Sequence, residues 1–214
     1  MTALKFIRST TGKKLVMALT GSFLGLFLLI HLIGNSTAFW GKDAFTAYAA
    51  HLHALGHLLA FFELTLLTVF ICHILFAASL YLENLTARPR RYFCYKSAGG
   101  RTLGSRTMPY TGLIILLFIV LHVKAFRATD PALIAEVMRR NLAKPLTALY
   151  YIISLMALAI HISHGFWSIC QSLGLSGRRY ERFLRNSARI VSLAGGLLFI
   201  LIPLLIMTWP GLLQ

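Results

Sequence analysis

Acidic residues are scarce in this chain. Of 214 residues only 6 are Asp or Glu, and charged residues of either sign make up 13%, about half the share found in a soluble domain. So few charges cannot clothe a soluble surface of this length. Disorder is excluded as well, because a chain that is 57% hydrophobic cannot stay solvated. Cysteine is also rare: Cys72, Cys94 and Cys170 lie far apart and form no CxxC pair. That spacing supports no disulfide framework and no zinc or iron–sulfur site. No nucleotide-binding motif occurs. The 21 Lys and Arg give a formal charge of +15, which on a soluble protein would point to nucleic acid. Such binding needs a basic patch on a folded soluble surface, and the long apolar runs leave no such surface.

Those runs are what the chain has in abundance. Five stretches, at residues 15–40, 57–82, 109–126, 146–173 and 190–209, approach or exceed the roughly 20 apolar residues that cross a bilayer as a helix. Gly, Ser, Thr and Pro inside them are tolerated in lipid-embedded helices. The first run is of full span length and lacks a small-residue cleavage site, so it reads as a mature helix. The expected fold is an all-α membrane bundle of five transmembrane helices, one domain over residues 1–214.

The charges sort along the chain. Lys5, Arg8, Lys13 and Lys14 precede the first span. Arg88, Arg90, Arg91, Lys96, Arg101 and Arg106 lie between the second and third. Arg178, Arg179, Arg182, Arg185 and Arg189 lie between the fourth and fifth. Four of the six acids, Asp43, Glu63, Asp130 and Glu136, belong to the other side. The positive-inside rule then puts the N-terminus in the cytoplasm and the C-terminus outside. The first connection, 41–56, reads as a short outer segment. The third, 127–145, is expected to hold an amphipathic surface helix at 131–142, with Asp130 as its N-cap and Pro131 at its start.

Ionisable side chains inside spans mark function by default. His31, His73, His122, His161 and His164 all lie deep inside the first four spans, and the fifth span has none. At ~1.5 Å per residue, His31 and His122 share the outer third of the membrane, and His73 and His161 the inner third. One histidine on each of four successive helices therefore forms two pairs at two depths. Paired neutral imidazoles at one depth suit the two axial positions of a haem iron, and two pairs imply two b-type haems. CxxCH is absent, so covalent attachment is not expected. A lone histidine bonded to a neighbouring backbone is the plainer reading of any one of them, but it does not explain two depth-matched pairs. A metal-free proton relay would recruit acids, and none lies near mid-membrane.

An internal repeat links the spans. Thr20-Gly21 precedes His31, and Thr111-Gly112 precedes His122, both as TG-x9-H. The first two spans and the next two thus look like two copies of one hairpin. Gly21 and Gly112 lie level with the inner pair. They suit either close approach of a porphyrin edge or packing of one helix on another.

One histidine in each of the first four of five spans, with TG-x3-GLF-x3-H from Thr20 to His31, resembles the dihaem cytochrome b subunit of the succinate:quinone oxidoreductases. That family includes the quinol:fumarate reductases. The block His161-Ile-Ser-His-Gly-Phe-Trp-Ser168 and the Asp43-Ala-Phe and Ala50-His51 stretches are similar to the family's too. The resemblance covers essentially the whole chain and implies His161 rather than His164 as the fourth ligand. His164 lies 60° off that face and could bond a propionate or a neighbouring helix. It implies a proximal haem on His73 and His161 and a distal haem on His31 and His122. It also implies a menaquinone or menaquinol substrate at the outer side. A flavoprotein subunit carrying FAD and an iron–sulfur subunit would dock on the cytoplasmic face of the inner membrane, in a complex that can dimerise. The family often carries an acid two positions before the fourth ligand; here that position is Ala159, which leaves such a proton route in doubt.

Other polar residues have two readings each. His51, His53, His57 and Glu63 offer hydrogen-bond partners and a proton acceptor to a quinol, or are interfacial residues facing water. Arg106 suits a proximal propionate or a positive-inside anchor, with Arg101, Tyr110 and Gln171 nearby; Lys124 and Arg127 are the outer analogues. Trp40, Trp167 and Trp209 read as interfacial belt residues. Two rivals remain. Cytochrome b anchors of nitrate reductase, formate dehydrogenase or hydrogenase tend to concentrate two histidines on one helix. A haem-free transporter would use the histidines for substrate or protons.

Overall fold

A computed structural model describes residues 3–87, 103–177 and 179–213. Arg88, Arg90, Arg91, Cys94, Lys96, Arg101 and Arg178 lie outside the described residues. Within them every regular element is helical: α1 (Ala3–Arg8), α2 (Thr10–Ser36), α3 (Lys42–His53), α4 (His57–Thr86), α5 (Leu103–Phe126), α6 (Ile134–Leu142), α7 (Pro145–Ser172) and α8 (Glu181–Thr208). Five of these, α2, α4, α5, α7 and α8, are long and apolar enough to cross a membrane. The chain is a multi-pass membrane protein. Its large outward-facing apolar side chains, such as Leu64, Leu117, Leu146 and Leu197, are those a lipid phase accepts.

The spans extend beyond the apolar runs. α5 starts six residues before Pro109 and carries that proline inside the helix. A proline removes one backbone donor, which a membrane helix tolerates when neighbours satisfy the freed carbonyl. α8 begins at Glu181, nine residues before the apolar run, so Arg182, Arg185 and Arg189 are helical. Glu181 in its first turn bonds Arg185 at 2.9 Å, which favours a helix start.

The first connection differs from the expected plain segment. It contains the twelve-residue helix α3, bounded by Gly41 at φ 100° and Gly56 at φ 54°. A side chain with a Cβ rarely adopts those angles, so the two glycines allow the chain to turn sharply at both ends. α6 follows a single 3-10 turn at Pro131–Leu133, whose Asp130 Oδ1 accepts from the Ala132 amide at 2.8 Å.

The best-buried cluster is at one end of the bundle. Ala38, Phe45, Ala135, Met138, Leu142, Ile202, Ile206 and Leu213 pack together, with Phe126 and Tyr151 against them. They come from both short connections, α8 and the C-terminal turn, so this end is the C-side; the basic segments mark the N-side. At the N-side, Lys13 of α2 bonds Ser79 and Glu83 of α4. α2 packs on α4, α7 and α8, and α5 packs on α7. Trp167 differs from the expected belt residue: it is buried, with the Arg185 guanidinium 4.2 Å over its ring.

Candidate functional site

The site is built from the two hairpins α2–α4 and α5–α7. On the C-side level, His31 of α2 meets His122 of α5 with ring centres 5.9 Å apart and planes at 88°. An iron bound to one nitrogen of each of two imidazoles at roughly 2 Å per bond needs ring centres about 6 Å apart. The observed separation fits that requirement. Phe27 stacks on His31 and Phe118 on His122, each at 5.3 Å and each one turn earlier in its own helix. Phe199 and Phe126 complete the aromatic lining. The Tyr151 hydroxyl lies 3.3 Å from His122 Nδ1.

The N-side level lies eleven residues away along α2, roughly 16 Å by helix rise. There His73 Nδ1 is 3.0 Å from Thr20 Oγ1. In the second hairpin His161 Nδ1 is 3.1 Å from Thr111 Oγ1. The next residue in each helix is the repeat glycine. A Cβ on Gly21 would lie 3.5 Å from His73 Cε1, and one on Gly112 3.7 Å from His161 Cε1. His73 and His161 are within electrostatic range of each other. Thr-Gly is therefore one structural unit used twice, with the hydroxyl at Nδ1 and the bare Cα beside Cε1.

These contacts extend the repeat. Both copies read TG-x5-F-x3-H, with Phe27 and Phe118 at the same offset. Sequence reasoning includes Phe27 in the first-span motif but misses its repeat partner Phe118 and the threonine hydroxyls, although their shared register is the available signal. Tyr151 was missed because its contact is between helices.

His164 sits elsewhere. Its Cβ would lie 2.8 Å from a Cβ placed on Gly104, where α5 lies close against α7, and Arg185 is within electrostatic range. Ala159 packs on α8: a Cβ on Gly196 would come within 2.8 Å of its own Cβ. That contact leaves little room for a longer acidic side chain at position 159.

The polar cluster of the first connection is less gathered. His51 and His53 are exposed on α3, and His53 Nδ1 donates to the Ala49 carbonyl at 2.9 Å. His57 opens α4 and is exposed. The Glu63 carboxylate accepts from Arg127 at 3.0 Å. Among the described residues no hydrogen bond joins Glu63 to His51 or His53. Arg106, Tyr110, Lys124 and Gln171 are exposed.

A second C-side feature was not legible in the sequence. A cleft of about 320 Å³ opens between Leu121 of α5, Asn141 of α6 and Leu146, Thr147, Tyr150 and Tyr151 of α7. The Tyr150 hydroxyl is shielded without a hydrogen bond among the described residues. Its neighbour Ser154 directs its own hydroxyl to the Tyr150 carbonyl.

No family model matches this chain, and no curated protein or solved structure matches it.

Proposed function

We propose that the chain is the dihaem cytochrome b subunit of a quinol:fumarate reductase or succinate dehydrogenase. The observation that supports this reading is the arrangement of four span-embedded histidines at two levels, each level drawing one histidine from each hairpin. His31 and His122 would hold the distal haem, and His73 and His161 the proximal one. Haem bound at both levels would supply two one-electron carriers at different depths. The protein's own residues position the rings, exclude water with Phe27, Phe118, Phe126 and Phe199, and keep formal charge away from mid-membrane.

The basic N-side fits the cytoplasmic face of an inner membrane, where it would meet anionic lipid and the iron–sulfur subunit of the complex. The flavoprotein subunit with FAD would interconvert succinate and fumarate beyond it. On the C-side a menaquinone head group has two candidate seats. One is the Glu63 region with His51 and His53; the other is the cleft beside Tyr150 and Tyr151. Arg106 remains a candidate for a proximal propionate.

An optical spectrum of the purified chain tests the reading. Two low-spin b haems per chain are expected, and fumarate reductase or succinate dehydrogenase subunits should co-purify. A colourless, fully folded protein overturns it.

A further inference from the structure

The two Thr-Gly steps do more than let helices approach. A threonine hydroxyl has one proton to donate and two lone pairs to accept with. Thr20 Oγ1 has the Val16 carbonyl of its own helix at 2.8 Å, closer than His73 Nδ1 at 3.0 Å. Thr111 Oγ1 has the Thr107 and Met108 carbonyls at 3.1 Å. A carbonyl can only accept, and each hydroxyl has a carbonyl of its own helix within reach as an acceptor for its proton. A hydroxyl that donates along its own helix turns its lone pairs to the imidazole, which then carries its proton on Nδ1. Nε2 is left as a bare lone pair, the form a metal needs.

We propose that Thr20 and Thr111 are positioning residues that fix His73 and His161 in the Nδ1–H tautomer, turning Nε2 toward a shared iron. The proposal rests on the dihaem reading and adds to it the origin of ligand orientation at the N-side level. Gly21 and Gly112 complete the device. A Cβ there would lie in ordinary contact with Cε1, the ring atom between the two nitrogens, at 3.5 and 3.7 Å, so the bare Cα leaves that edge of the ring open. The C-side pair is set differently. The Tyr151 hydroxyl has no carbonyl acceptor among the described residues, so it can donate to or accept from His122 and does not fix a tautomer.

The test replaces Thr20 and Thr111 by Val, which keeps the shape and removes the hydroxyl, and by Ser, which restores it. In the full chain, Thr20→Val and Thr111→Val should each weaken haem binding at the N-side level by roughly tenfold, in the range typical of lost ligand-orienting hydrogen bonds. The midpoint potential of that haem should rise, because a less basic ligand stabilises ferric iron less. The Ser variants should restore both, and the C-side haem should keep its potential. Unchanged affinity and potential in the double Val variant overturn the proposal. A wild-type chain that binds no haem overturns the dihaem reading instead. In that case nitrogen-15 spectra of the haem-free chain decide the tautomer. Nδ1–H at both His73 and His161, lost in the Val variants, supports the positioning role, and Nε2–H in the wild type overturns it.

Discussion

The two histidine levels use different devices to hold similar rings. At the N-side each imidazole is bonded to a threonine across its hairpin, at 3.0 and 3.1 Å, beside a glycine. At the C-side the rings meet each other and are wedged by phenylalanines, with a single tyrosine contact at 3.3 Å. Hydrogen bonds fix direction and protonation, whereas aromatic packing fixes place but leaves the proton free. The surroundings differ too. The C-side level is backed by a buried cluster through Phe126 and Tyr151. On the N-side, α4, which carries His73, has no buried residue among those described, while Thr111 and Trp167 of the other hairpin are buried.

The largest expected effects come from the four histidines that the proposal makes haem ligands. Ala at His31 or His122 should remove the C-side haem from the optical spectrum and leave the other. Ala at His73 or His161 should do the reverse. Redox titration of each purified variant checks this. Loss of both haems from a single substitution, with the helices still folded, would show that the levels are not independent.

That His31 and His122 meet at one level is readable in the sequence, because it needs only helix rise and span direction. The repeat was readable in part: Thr-Gly and His stood out, but the role of the threonine depended on a partner 53 residues away in sequence. α3 is not legible as a helix from local pattern, since it buries only Phe45 and Ala49 and is flanked by two glycine turns. The start of α8 is not legible because its basic residues read as a connection, whereas the Glu181–Arg185 pair supports a helix that begins at Glu181. The Tyr150 cleft depends on how α5, α6 and α7 meet, which no local pattern encodes.

The next effect concerns packing at the N-side. A Cβ on Gly104 would come within 2.8 Å of His164 Cβ and 3.5 Å of the Ile160 carbonyl, so Gly104→Ala must push α5 from α7. Overpacking of this kind costs about 1–3 kcal/mol. Thermal unfolding in detergent should show that loss, and the N-side haem should be disturbed more than the C-side one. Gly21→Ala makes only ordinary contacts at 3.5 and 3.6 Å. Its fold should therefore hold. A drop in haem content with an intact fold would identify Gly21 as a cofactor contact, and no drop would identify it as a packing residue.

Tyr151→Phe is expected to be milder than either Thr→Val change. It removes one long, neutral hydrogen bond, worth up to about 1 kcal/mol, and retains the ring that packs on Phe118. Haem affinity at the C-side should fall by less than the tenfold expected for the threonines. An equal or larger fall would erase the contrast between the two levels.

The smallest structural effect should come from Glu63→Gln, and it is informative for that reason. The Glu63–Arg127 pair is exposed, with side-chain accessibilities of 43% and 67%, and such pairs contribute at most about 1 kcal/mol. Stability and both haem spectra should therefore be nearly unchanged, leaving quinol oxidation as a clean readout. If the head group sits at the first connection, Glu63→Gln together with His51→Ala and His53→Ala should depress quinol oxidation, because the proton acceptor is gone. If it sits in the cleft, those changes should leave turnover intact, while Asn141→Leu and Tyr150→Phe should lower it by removing polar groups that line it. Turnover that survives both sets would place the head group away from both seats. The comparison then says which C-side surface would face a quinol: the exposed polar helix α3, or the mostly apolar cleft beside Tyr150 and Tyr151.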